Sequence, residues 1–231
     1  MKNYLIIGGS SGIGKSLANL LAETGHHVYA TFNKHKQQSA STNIQYSHLD
    51  VMDENLHLDF VPDNLDGLVY CPGSINLMPF TRIDPVSFEE DYKLQVLGAI
   101  KVLQAALDRL KASGNASVVL FSTVAVQLGF NFHTQVAASK GAIEGLTRSL
   151  AAEWAPSIRV NAIAPSLTNT PLASKLLGTE HKKKANDERH PLKKVGSPED
   201  ISEMAAFLLS DKSSWMTGQI IPLDGGMSSI K

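Results

Sequence analysis

Short apolar runs punctuate the chain, and longer segments with apolar residues at helical spacing lie between them. The runs are Tyr4 to Ile7, His27 to Thr31, Ile44 to His48, Gly67 to Tyr70, Ser117 to Phe121, Arg159 to Ile163 and Gln219 to Pro222. Brief apolar runs bounded by turn formers read as strands, and strands alternating with amphipathic helices build a parallel sheet. The first helix carries Ile13, Leu17, Leu20 and Leu21 on one face, and Gly25 follows as its stop. Near the C-terminus, Ser197-Pro198-Glu199-Asp200 combines an N-cap serine, a proline at the first helical position and acids in the first turn. No internal repeat or linker interrupts the pattern. It predicts an α/β fold, a doubly wound parallel sheet in three α/β/α layers, as a single domain over residues 1–231.

Composition narrows the function. With 231 residues, 43% hydrophobic and 19% charged, the chain can bury one full core. A net charge of -1 and the lack of a sustained basic stripe argue against nucleic acid as a partner. Cys71 is the only cysteine, so no disulfide forms within the chain. Tyr4-Leu5-Ile6-Ile7 is too short for a signal h-region or a membrane span, and a cytoplasmic protein without a membrane partner is expected. No metal-ligating set is expected either. The one charge run, His181 to Lys184, with Lys193-Lys194 beyond it, reads as a solvated flap in preference to a phosphate site.

Gly8-Gly-Ser-Ser-Gly-Ile-Gly14 follows the first strand and opens the first helix. Glycine lets the backbone turn tightly and approach a pyrophosphate, while the free N–H groups and dipole of the helix N-terminus favour negative charge. Gly8, Gly12 and Gly14 leave three residues in the first gap. With this spacing the chain resembles the short-chain dehydrogenase/reductase family, whose loop reads Thr-Gly-x-x-x-Gly-x-Gly. Three more stretches resemble that family in the same order: Asp50-Val51, Ile158 to Pro165, and Gly218 to Gly226. The resemblance covers nearly the whole chain and implies a Rossmann-like fold. It places a dinucleotide against Gly8, Ser10, Ser11, Gly12, Ile13, Gly14, Phe32, Asn33, Lys34, Asp50, Val51, Cys71, Pro72, Gly73, Ser122, Lys140, Pro165, Ser166 and Thr168.

The family's active-site helix carries Tyr-x-x-x-Lys, in which the lysine holds the nicotinamide ribose and lowers the pKa of the tyrosine. Lys140, flanked by Ala137-Ala138-Ser139 and Gly141, fits that lysine, with a surface lysine as the bland alternative. Four residues before it stands Val136, which can neither give nor take a proton. The family's serine corresponds to Thr123, which can orient a carbonyl but is a poor proton source. Its asparagine on the preceding long helix aligns with Gln95, and its Asn-Asn-Ala-Gly with Tyr70-Cys-Pro-Gly73, where Cys71 reads as a packed thiol. His133 lies seven residues before Lys140, about 10.5 Å of helical rise, at the position where enoyl reductases carry their tyrosine. It reads equally as a replacement proton donor and as a loop or cap histidine.

The position of the family's NAD-selecting acid is Phe32, followed by Asn33-Lys34-His35-Lys36. This basic, acid-free neighbourhood favours NADP(H), with NAD(H) possible. The expected function is therefore an NAD(P)(H)-dependent oxidoreductase reducing a carbonyl or activated alkene of a small molecule through a non-standard proton donor. Its lid would span Thr170 to Val195, and Lys182 to Lys184 would favour acidic substrates. The alternative is a catalytically silent dinucleotide-binding protein, a redox sensor or partner subunit. The family also implies a homodimer or homotetramer, with which the short tail Met227 to Lys231 is compatible.

Overall fold

The computed structural model describes residues 1–34 and 41–230. His35, Lys36 and Lys231, which the cofactor and assembly expectations invoke, lie outside the described residues. Seven strands form one sheet: β1 (Asn3–Ile7), β2 (His27–Phe32), β3 (Ile44–His48), β4 (Gly67–Tyr70), β5 (Ala116–Phe121), β6 (Ile158–Pro165) and β7 (Ile220–Leu223). Their order is β3-β2-β1-β4-β5-β6-β7, and every neighbouring pair is parallel. All seven predicted strands are present, with ends moved by no more than two residues.

The helices follow as α1 (Gly12–Glu23), α2 (Pro85–Tyr92), α3 (Gly98–Ser113), α4 (Ala125–Leu128), α5 (Thr134–Trp154), α6 (Ser174–Leu177), α7 (Glu180–Glu188) and α8 (Pro198–Leu209). Alternation along the strands divides the core between the two faces. Leu5 and Ile7 of β1 pack with Val102, Ala106 and Leu110 of α3 and Ile143 of α5. Tyr4 and Ile6 pack with Leu17 and Leu21 of α1 and with Ile201, Ala205 and Leu208 of α8. A fully buried side chain of this size contributes roughly 1.5–3 kcal/mol relative to an exposed one, so both faces hold the sheet and the three-layer arrangement follows. The α8 start is a capping box: Ser197 Oγ accepts from Asp200 N at 3.1 Å, and Asp200 Oδ2 accepts from Ser197 N at 2.9 Å.

Two features bear on the site. The strand order reverses between the parallel neighbours β1 and β4, which leaves a crevice at the C-terminal ends of the strands where open α/β sheets bind ligands. Between α2 and α3 the helix widens into a π turn at Lys93–Leu97. The Tyr70 hydroxyl donates to Leu94 O there at 2.6 Å, and a Cβ on Gly98 would lie 2.3 Å from Tyr70 Oη. The inserted phenol and the missing Cβ together account for the turn, a form that recurs at functional sites.

Candidate active site

A cavity of about 710 Å³ opens at the crevice and is walled by the loops after β1, β4, β5 and β6, the start of α5, and the segment between β6 and α8. Its size fits a small-molecule or cofactor site.

The glycine loop forms one end. Gly8 and Gly12 have φ of +76° and +50°, conformations that a side chain disfavours. A Cβ on Gly14 would lie 2.4 Å from Gly8 O, so the loop closes on the helix only because that atom is missing. Ser10, Ser11, Gly12 and Ile13 line the cavity beside the N-terminus of α1. No acidic residue stands in the first turn of that helix to compete for its N–H groups.

Most of the predicted contacts meet on this wall: Asn33, Lys34, Val51, Cys71, Pro72, Gly73, Gln95, Ser122, Thr123, His133, Lys140, Pro165, Ser166 and Thr168. Phe32 and Asp50 are not on it. The Phe32 ring packs edge-on against His48 at 5.7 Å, and Asp50 Oδ1 accepts from Met52 N at 2.9 Å within its own turn. The Ser122 hydroxyl donates to Glu144 Oε1 at 2.8 Å, which occupies its one hydrogen. Burial pushes the Cys71 thiol up to about 12, so it is an unreactive packed thiol.

Lys140 and Gln95 converge. A Cβ placed on Gly73 would stand 3.9 Å from Lys140 Nζ and 3.4 Å from Gln95 Oε1. Gln95 Oε1 is buried and, among the described residues, has no hydrogen-bond partner. Among the described residues, no protein group hydrogen-bonds the Lys140 ammonium. Burial lowers its pKa to about 8, against the charge of Asp91, which raises it. An orphaned buried oxygen and an uncommitted ammonium on one wall suit a ligand that brings hydroxyls to them.

Asp91 is absent from the sequence-predicted positions. It is buried and accepts from Gln95 Nε2 at 2.8 Å on each oxygen, from Ser139 Oγ at 2.6 Å and from the Ser74 hydroxyl. Its one sequence signal is the four-residue spacing to Gln95, which puts both on one helix face. The carboxylate thus ties α2, the π turn, the loop after β4 and α5 into one unit beneath Lys140.

Val136 is buried, 8% exposed, and lines the cavity one turn from Lys140. His133 stands at the N-cap of α5, because the helix begins only at Thr134. Its Nδ1 bonds Asn131 O at 2.8 Å and its ring packs edge-on to Phe130 at 5.4 Å. Thr123 Oγ1 accepts from Ala125 N at 3.3 Å.

The segment from 170 to 195 folds as a short turn, α6 and α7. Thr170, Leu172, Leu176, Arg189 and His190 of this stretch reach the cavity. Lys182, Lys183 and Lys184 do not. Lys182 Nζ donates to Lys175 O at 3.2 Å and Lys183 pairs with Asp187 at 2.8 Å on an exposed helix, as a solvated flap would. Ser166 Oγ lies 2.8 Å from Nε2 of His190, a pairing that sequence spacing does not announce.

The glycine cradle, the helix N-terminus and the free ammonium fit a nicotinamide dinucleotide, which would supply or take a hydride here. Among the described residues, no helix is long and apolar enough to cross a membrane.

Comparison with known proteins agrees with this geometry. The family model for enoyl-(acyl carrier protein) reductase matches residues 8–228. A tropinone reductase homologue of Arabidopsis thaliana is 34% identical over 98% of this chain and 92% of its own length. A short-chain type dehydrogenase/reductase from Mycobacterium ulcerans superposes with a TM-score of 0.89 at 30% identity, covering 100% of this chain and 90% of that one. ElxO with NADP bound superposes at 0.88 with 26% identity, covering 99% and 100%. The chain belongs to the short-chain dehydrogenase/reductase family of oxidoreductases, whose fold binds a nicotinamide dinucleotide.

Proposed function

We propose that this protein is an NADP(H)-dependent reductase acting on a carbonyl or activated alkene of a small, largely apolar molecule. The observation that carries the reading is the charge of the wall: Lys34, Lys140 and Arg189 line the cavity and no carboxylate does among the described residues. Such a wall attracts a polyanionic cofactor. Lys34, beside Asn33 after β2, stands where a 2'-phosphate would gain a charged partner, and the fold neighbour ElxO was seen with NADP bound. Lys140 and Gln95 would hold the nicotinamide ribose, and Thr123 would orient the substrate oxygen. Leu77, Leu94, Phe130, Val136, Leu172 and Leu176 form the apolar part of the wall, which suits the small apolar substrate.

Hydride addition leaves negative charge on the substrate, so a proton must follow. Val136 stands where the family carries its tyrosine and cannot supply it. The donor is one of two imidazoles on the cavity wall, His133 or His190. The segment 170–195 acts as the lid, and the protein works in the cytoplasm as a homodimer or homotetramer.

The test is to mix the purified protein with NADPH, measure binding, and follow cofactor absorbance against ketones, quinones and enoyl thioesters. Oxidation of NADPH with at least one class is expected. The aliphatic side chain at Val136 favours a second reading, a dinucleotide-binding protein without turnover. Tight NADPH binding with no oxidation in any panel would replace the first reading with this one.

A further inference from the structure

We infer that Ser166 and His190 form the proton relay of this site, with Ser166 touching the substrate oxygen and His190 as the positioning residue that recharges it. The inference rests on the reductase reading and assigns the proton step within it. His190 is buried, 1% exposed, and both ring nitrogens are engaged. Nδ1 lies 2.8 Å from Asn186 O. A carbonyl oxygen can only accept, so Nδ1 carries the hydrogen. Nε2 therefore faces Ser166 Oγ, 2.8 Å away, as an acceptor when the ring is neutral and as a donor when it is cationic. Ser166 lines the cavity at the end of β6, next to the end of β5 that carries Thr123, and Val124 N donates to Pro165 O at 3.3 Å between them. The Ser166 hydroxyl is thus a bridge between an imidazole whose two ring nitrogens are both engaged and the space where a carbonyl held by Thr123 would lie.

The surroundings hold the ring in this role. Asp187, one turn back near the end of α7, has its pKa lowered first by its Lys183 hydrogen bond and then by the Val195 backbone, with His190 among the smaller causes. Arg189 and Lys193 flank His190 along the chain, Arg189 lying over the Phe130 ring at 5.5 Å and Lys193 pairing with Glu188 at 3.3 Å. From the turn after β7 come Gly225, on which a Cβ would lie 3.6 Å from His190 Cβ, and Met227, whose sulfur is 3.6 Å from Ser166 Oγ. Asp224 in that turn directs its oxygens to the backbone N–H groups of Gly226 and Ser228 at 2.9 and 2.8 Å. Asp187 is thus the carboxylate whose charge couples to the His190 ring.

When the carbonyl carbon gains a hydride, the C=O π pair moves to oxygen. The Ser166 O–H bond breaks and its proton joins that oxygen. Ser166 Oγ takes the proton from Nε2 of cationic His190, whose N–H pair stays on nitrogen, leaving neutral imidazole and a product alcohol. Solvent reprotonates the ring after release. In the oxidative direction each transfer reverses, and the neutral ring is then the form poised to accept. His133 has no such bridge; its Nδ1 is tied to Asn131 O and it sits at the cavity rim on the α5 N-cap.

The experiment uses the full chain with NADPH and ethyl acetoacetate, comparing Ser166→Ala, His190→Gln and, as a control on the exposed face of α3, Lys111→Ala, with melting temperatures taken to separate misfolding from chemistry. Ser166→Ala and His190→Gln are expected to lower kcat about 100-fold with the KM for NADPH unchanged, and Lys111→Ala to stay within about twofold of wild type. An independent readout is the pH titration of the imidazole nitrogens by NMR without substrate. Nε2 of His190 should gain a proton over the range in which wild-type kcat/KM changes, and Ser166→Ala should move that titration. If wild type turns over and both variants keep pace, or if His190 stays neutral down to pH 5, the relay is overturned and the reductase reading stands. A wild type that oxidises no NADPH with this probe, or with the ketone, quinone and enoyl panels, overturns the reductase reading and the relay with it. Loss of kcat in Ser166→Ala, the variant least able to disturb the fold, supports the relay even if His190→Gln fails to fold.

Discussion

Gln95 Nε2 sits 2.8 Å from both carboxylate oxygens of Asp91, and the amide's own oxygen, which like Lys140 Nζ lies beside Gly73, is left without a partner among the described residues. The carboxylate also receives the Ser139 and Ser74 hydroxyls. It therefore fixes the shape of the wall that carries Gln95 and places a negative charge near the lysine. Asp91→Asn keeps the size of the side chain and removes its charge, together with one of its two accepting oxygens. With that charge gone, Lys140 should lose its proton below pH 8, and NADPH affinity should decline at lower pH than in wild type. A titration of the dissociation constant from pH 6 to 9 checks this. Superimposable curves would show that Asp91 has no electrostatic hold on the lysine.

Lys140 itself links binding to stability. Its pKa falls from 10.5 to about 8 because burial disfavours the ammonium. Between those values the unfolded chain binds more protons than the folded one, so stability rises with pH there. The nucleotide-free protein should therefore gain stability from pH 8 to 10.5 and be at its lower level below pH 8. Lys140→Met should abolish that gain and melt higher than wild type at pH 7, while weakening NADPH binding by about tenfold to 100-fold. Thermal melts across the range, with and without NADPH, decide both points.

Lys34 lines the cavity beside Asn33, just after β2. Lys34→Ala should raise the NADPH dissociation constant by about tenfold, the loss of one charge-assisted hydrogen bond. NADH binding should change by less than about twofold. Equal weakening of the two would show that Lys34 does not read the extra phosphate.

Val136→Tyr places a phenol one turn from Lys140 on the cavity wall. The variant should reduce ketones at least about tenfold faster than wild type, since a positioned acid contributes 10²–10⁴-fold when fully effective. Steady-state kinetics on one ketone, with a melting curve to confirm folding, test it. No gain in a folded variant would mean that Thr123 and Lys140 do not hold a carbonyl against position 136.

The sheet was legible in the sequence because each strand is a short apolar run and each connection a helix-length amphipathic one; all seven runs became strands, and the Ser197–Asp200 cap formed as its residue types require. The glycine loop was legible for a similar local reason, since Gly8, Gly12 and Gly14 act on the backbone of their own turn. Other parts of the site were not. Phe32 and Asp50 fall at the expected strand ends but turn to His48 and to Met52 N, choices that depend on neighbouring side chains.

What the sequence determined by itself is periodicity, turn chemistry and the spacing along one helix, interactions that span a few residues. What only tertiary structure decided is which polar groups meet across the fold: Asp91 with Ser139, 48 positions apart, and Ser166 with His190, 24 apart. Those distances close because the sheet and the segment above it bring separate elements together, and buried polar groups must find partners wherever packing leaves them.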